Sequence, residues 1–289
     1  MAELLVDGLA FGESPRWHGG RLWFANWGTG EVLAVDSDGK SELMASVSAE
    51  TIPFSIDWLP DGRLLVVAGS KLLRQEPDGS LVPHADLSGI ATVFNEIVVD
   101  GRGNGYVNGA DFDETGGFRP GVIALVPADG RPGQPGHQLS GEAQQVAGEI
   151  AFGNGMAVSA DDSTLIVAES FGCRLTAFDI AEDGSLANRR VWADLGEGQH
   201  PDGICLDAEG AVWYADVPNK QCVRVAEGGE VLQTVDLDRG AFACMLGGPD
   251  GTTLFILAAE WRGFENMLSD ERTGHLLTTP APAPHSGHP

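Results

Sequence analysis

The stretch ICLDAEGAVWYAD, Ile204 to Asp216, reads as two short strands around a tight turn, with apolar residues before Asp-Ala-Glu-Gly and an aromatic pair after it. The pattern occurs five more times, as SPRWHGGRLWFAN from Ser14, IDWLPDGRLLVVAG from Ile56, IVVDGRGNGYVNG from Ile97, MAVSADDSTLIVAES from Met156 and CMLGGPDGTTLFIL from Cys244. With the large residue after each turn as anchor, Trp23, Leu65, Tyr106, Ile166, Trp213 and Phe255 follow at steps of 42, 41, 60, 47 and 42 residues by subtraction. The long third step holds a Gly/Pro-rich insertion, Gly130 to Gly141, which reads as an extended loop. Between most anchors lies a second hairpin, as in VLAVDSDGKSEL and KLLRQEPDGSLV, where Asp-Gly flanked by apolar runs is a strong turn signal. Each unit therefore supplies about four short strands, and four strands repeated every 40 to 50 residues or so mark a propeller blade. The expected fold is all-β: a six-bladed β-propeller with four-stranded antiparallel blades, one domain over residues 1–279. The tail, PAPAPHSGHP at 280–289, is too rich in proline for a regular strand and is expected to be loose.

Charge narrows the partners. The 289 residues carry 17 Lys+Arg against 42 Asp+Glu, a net charge of -25, whereas nucleic acid and anionic membrane surfaces call for a basic face. A mean hydropathy of -0.05 and the lack of any apolar run of about 18 residues argue against a membrane span. The opening Met-Ala-Glu-Leu-Leu-Val-Asp has no basic n-region, and the four cysteines form no CxxC pair. A cytoplasmic protein with reduced thiols, monomeric or homodimeric and acting on a small molecule, is the expectation.

The repeat also locates chemistry. In a propeller the innermost strand of each blade borders one channel, so equivalent positions surround a common axis. About eleven residues before the anchors stand Glu13, Phe54, Asn95, Asn154, Asp202 and Cys244. Taken singly, Glu13 could be a loop carboxylate, Asn154 in GNG a left-handed turn and Asp202 in PDG a hairpin turn. Together, four of the six positions are hard oxygen donors, which suit Ca2+, Mg2+ or Mn2+ by hardness. Four protein ligands leave coordination positions open, which is the mark of a catalytic metal.

FGESPRW at Phe11 to Trp17, FNE at Phe94 to Glu96, GNGMAVSADDSTLIVAES at Gly153 to Ser170 and HPDGICLDAEGAVWYAD at His200 to Asp216 resemble the SMP-30/gluconolactonase/luciferin-regenerating-enzyme-like family over essentially the whole chain. The resemblance implies a six-bladed propeller with one divalent cation in its channel, Ca2+ foremost and Mn2+, Zn2+ or Mg2+ as alternatives, and a lactone-hydrolysing activity. It also implies metal ligands at Glu13, Asn154 and Asp202, with Asn95 beside them on the substrate side.

Two departures bear on the substrate. Where sugar-lactonase members often carry Arg-x-Asn-Asp, this chain has Val93-Phe94-Asn95-Glu96, without the donor that suits a polyhydroxylated or anionic substrate. Phe54 and Cys244 add apolar character at the same level. The expected reaction is metal-assisted opening of a lactone, or cleavage of an ester, less polar than a sugar-acid lactone. Asp202 is its leading general base, Glu96 the reserve, and His200 a substrate-side proton shuttle. A phosphotriesterase-like hydrolase with the same metal, and a non-catalytic metal-containing binding propeller, are the rival readings. Asp111 and Asp113 in ADFDETGG read either as a second, structural calcium site or as a solvated acidic loop. No serine occupies a G-x-S-x-G elbow.

Overall fold

The computed structural model describes residues 2–113, 117, 119–128, 142–263 and 271–289; the Gly130–Gly141 insertion lies outside the described residues. Twenty-four β-strands, numbered β1 to β24 in chain order, and two single 3-10 turns make up its regular structure, with no α-helix among the described residues. None of its helices is long and apolar enough to cross a membrane, again among the described residues. The strands pair into six four-stranded antiparallel sheets.

One strand from each sheet borders the channel: β2 (Gly12–His18), β6 (Phe54–Trp58), β10 (Val93–Val99), β14 (Gly153–Val158), β18 (Pro201–Leu206) and β22 (Gly240–Gly247). These six contact one another in cyclic order, with β22 meeting β2, so the sheets stand as blades around one axis in a six-bladed β-propeller. Large apolar side chains such as Trp213, Tyr106, Phe24 and Leu72 are wholly buried, and they fill the wedges between neighbouring blades. At roughly 25 cal/mol per Å² of apolar area removed from water, these wedges are the main force holding blade to blade.

Two glycines show how tightly the channel closes. A Cβ on Gly155 would stand 2.5 Å from Ile204 N, and one on Gly203 would stand 2.6 Å from Ala243 Cβ. The Asn-Gly and Asp-Gly pairs at 154–155 and 202–203 are therefore close-approach sites between inner strands, not hairpin turns.

Two expectations about the chain ends are corrected. The sixth repeat supplies only three strands, and its fourth is β1 (Glu3–Leu9), which pairs antiparallel with β24 (Gly274–Pro280) from Glu3↔Thr278 to Leu9↔Gly274. Joining the two ends of the chain in one blade gives the sixth sheet its fourth strand and closes the ring. The tail is not loose. It runs under the ends of the inner strands away from the site, with Val158 and His288 exchanging backbone hydrogen bonds at 2.7 and 2.8 Å and Ala283 buried. Proline removed the strand signal, but single backbone bridges need no continuous ladder.

Candidate active site

Where the inner strands begin, the channel opens into a cavity of about 550 Å3. Glu13, Asn95, Asn154, Ser170, His200 and Asp202 supply its polar groups, and Phe11, Trp27, Phe152, Phe171, Phe242 and Trp261 are among the rings lining it.

Bulges aim the polar side chains. In β2 the residues Glu13 and Arg16 pair with Ala25 and Trp23, so three steps on one strand face two on its partner and one residue is extra. The same excess falls between Phe94 and Ile97, Gly153 and Met156, Pro201 and Ile204, and Ala241 and Ala243. Each bulge bends its strand and redirects the side chain beside it. In β6 the pairing runs in step from Phe54↔Ala68 to Trp58↔Leu64, without a bulge. Phe54 is accordingly wholly buried in the wedge with Trp27 and Phe11 and does not line the cavity.

Register also corrects the sixth position. The anchors pair with Arg16, Asp57, Val98, Ala157, Cys205 and Met245, and three residues before each partner stand Glu13, Phe54, Asn95, Asn154, Asp202 and Phe242. Anchor and partner are eight residues apart in the fifth repeat and ten in the sixth, by subtraction, because the last hairpin turn is longer. Phe242, not Cys244, is thus the blade-six equivalent and a lining residue. Cys244 is buried behind it, its Sγ 3.6 Å from Gly203 O.

Glu13 and Asp202 are two carboxylates with no counter-charge at close quarters. Burial, then the charges of Asp202 and Glu96, push the Glu13 carboxyl well above its usual range. Burial, then the charges of Glu96 and Asp216, do the same to Asp202 against hydrogen bonds from Asn154 and Gly203. Asp202 Oδ1 is buried without a hydrogen-bond partner, and among the described residues no ion pair reaches Glu13 or Asp202. Beside them Asn95 Nδ2 donates to Asn154 Oδ1 at 3.2 Å. An orphaned carboxylate oxygen amid carboxylate and amide donors fits a hard divalent cation.

Glu96 sits elsewhere. Its Oε1 accepts from Ser14 Oγ at 2.9 Å, Arg16 Nη2 at 3.0 Å and Ile97 N at 2.9 Å, all buried, and it is not part of the lining. Three donors on this one oxygen tie Glu96 of β10 to Ser14 and Arg16 of β2 and make it a clasp between the two strands. His200 and Val93 do face the cavity. His200 Nδ1 lies 3.0 Å from Ser170 O, and a carbonyl can only accept, so Nδ1 is the donor there and, in the neutral ring, Nε2 is the acceptor. Asp111 Oδ1 accepts from Thr92 N and Oγ1, while Asp113 Oδ1 accepts from Gly117 N. The two aspartates serve separate turns, and no cluster of three or more His, Cys, Asp or Glu able to hold a metal occurs among the described residues.

The aromatic mouth was missed in the sequence, although a signal existed. Trp27, Phe112, Phe171 and Trp261 all fall just past the second strand of their repeats, in ANWG, GADF, ESFG and AEWRG.

A propeller whose channel mouth brings a buried glutamate, a half-buried aspartate and two half-buried amides beneath two groups of aromatic rings has the form of a channel-site protein. Residues 11–260 match the SMP-30/Gluconolactonase/LRE-like region, and the chain belongs to that family. It is 28% identical to regucalcin of Xenopus laevis over 258 residues, which span 86% of this chain and 83% of the relative. It is also 28% identical to the 6-deoxy-6-sulfogluconolactonase of Pseudomonas putida, over 151 residues that span 51% of this chain and 52% of that enzyme. In fold it is similar to the luciferin-regenerating enzyme, with a TM-score of 0.81 at 19% identity over 99% and 98% of the two chains.

Proposed function

We propose that the protein is a divalent-cation-dependent hydrolase that opens a lactone, or cleaves an ester, bearing an apolar substituent. The observation that carries this reading is the pair of carboxylates without a counter-charge at the foot of an aromatic-lined cavity, Glu13 buried and Asp202 half-buried with its Oδ1 enclosed and unpartnered. The likeness to a sulfogluconolactonase supports lactone chemistry. Glu13, Asn154 and Asp202 would hold the ion by their oxygens, with Asn95 next to it, and Ca2+ suits an all-oxygen set best. Bound there, the cation supplies Lewis acidity at the carbonyl oxygen and a counter-charge for the two carboxylates.

This chain's residues do the rest. Asn95 orients the carbonyl from beside Asn154. A carboxylate committed to a cation is a poor proton acceptor, so Asp202 serves as ligand and His200 Nε2 takes the proton from the attacking water. The water oxygen bonds to the acyl carbon, the bond from that carbon to the ring oxygen breaks, and the proton on His200 returns to the departing alkoxide. Val93, where an arginine would serve a polyhydroxylated substrate, and the aromatic mouth give the substrate's apolar substituent a surface to bury against.

The reading is tested by assaying γ- and δ-lactones, aryl esters and a phosphotriester before and after exhaustive chelation. Lactones or esters should be turned over, lose their turnover on chelation and regain it with Ca2+ or Mn2+. Full activity in protein shown by elemental analysis to be free of divalent metal would refute the mechanism, and preferential cleavage of the phosphotriester would transfer the site to that chemistry.

A further inference from the structure

The rings around the cavity are not spread evenly. Taking the blades in the cyclic order of their inner strands, the blade of β2 stands across the channel from that of β14, and the blade of β22 stands across from that of β10. Phe11 and Trp27 belong to the first side, stacked at 5.7 Å with an interplanar angle of 21°. Phe242 of β22 meets Phe11 edge-on at 4.4 Å, and Trp261 lies 5.8 Å from Phe242, so four rings make one continuous wall. On the facing side Phe152 and Phe171 stack at 4.5 Å and 29°, with Phe112 on the neighbouring blade. The two blades in between contribute aliphatic residues to the rim, Ile52 and Pro53 on one and Val217 and Pro218 on the other.

We propose that the cavity is a slot between two aromatic walls, and that it selects a flat aryl group on the substrate over a saturated ring or flexible chain of equal apolar area. The proposal rests on the hydrolase reading above and deepens it, naming aryl-substituted lactones and aryl esters as the substrate class. Burial alone does not distinguish phenyl from cyclohexyl, because both remove similar apolar area from water. Ring faces do distinguish them, since a flat π-system meets the opposed faces and edges of aromatic walls with favourable quadrupole geometry and a puckered ring does not. Phe171 and Phe242, one from each wall, are the residues that set the preference; Phe171 is 58% exposed, so altering it leaves the core intact.

The test uses γ-phenyl- and γ-cyclohexyl-γ-butyrolactone, comparing kcat/KM and, independently of turnover, calorimetric affinity. Wild-type protein should favour the phenyl compound by about fivefold to tenfold, mainly through KM and Kd, the scale of one or two aromatic contacts. In Phe171→Leu and Phe242→Leu, which stay apolar but lose the ring face, the phenyl-to-cyclohexyl ratio should fall toward one, with thermal unfolding confirming that each variant is folded. Turnover of both lactones with equal or reversed preference overturns the slot and leaves the hydrolase reading standing. If neither these lactones nor the aryl esters named above are hydrolysed, that reading fails, and the two affinities still decide the slot: tighter phenyl binding supports it, equal binding overturns it.

Discussion

Strands β6 and β18 occupy the same place in the second and fifth copies of one repeat, and Phe54 and Asp202 stand at the same offset from their anchors, yet the two side chains end in different surroundings. β18 carries an extra residue between Pro201 and Ile204, and Asp202 enters the cavity. β6 pairs in step, and Phe54 is folded into the wedge between blades. A propeller repeat therefore creates six equivalent positions at the channel mouth but not six site residues. The bulge goes with the positions that line the cavity, and the side chain sets the chemistry presented there.

The largest expected effect is at the bulged position. Asp202→Ala should abolish tight Ca2+ binding, read by calorimetry, and lower lactone kcat/KM by about a hundredfold or more, as loss of a Lewis-acid site entails. In chelated protein the same substitution should raise Tm, because it removes a carboxylate whose Oδ1 is buried without a partner and whose charge no cation neutralises. Retained Ca2+ affinity and near-normal rates in Asp202→Ala would show that the bulge does not select the site.

Next in size is the clasp beside the β10 bulge. Glu96→Gln breaks a buried pair with Arg16 and should cost about 3 kcal/mol in denaturant unfolding, while kcat of the folded variant falls less than tenfold. A proton-transfer role would instead cost about a hundredfold or more in kcat with stability little changed. The regular strand gives the smallest effect. Phe54→Leu should lose about 1 kcal/mol of stability and leave Ca2+ affinity and substrate preference as they were. A change in preference there would place β6 at the ligand after all.

Much of this difference was invisible in the sequence for a definite reason. The hairpin repeat and its period reveal blade number directly, because turn residues and apolar alternation are local properties. Glu13, Asn95, Asn154 and Asp202 were legible as one set because oxygen donors at a repeated position are improbable by chance. Register is not local. The longer turn of the last hairpin shifted the count from Phe242 to Cys244, and no residue type announces that β6 pairs in step. The same holds for Glu96, because no local pattern announces that Arg16 and Ser14 of another blade donate to its Oε1. β1 and the tail were missed because their partners lie at the opposite end of the chain or across the far face of the ring.

The claim on which the account turns is that Glu13, Asn154 and Asp202 hold one cation that lactone hydrolysis requires. Titrating chelated wild-type protein with Ca2+, with heat and hydrolysis followed on the same samples, tests it directly. One ion per chain, with activity rising from baseline along the binding curve, is the predicted result. Hydrolysis already at full rate before the first addition, or binding that saturates with no gain in activity, would contradict it.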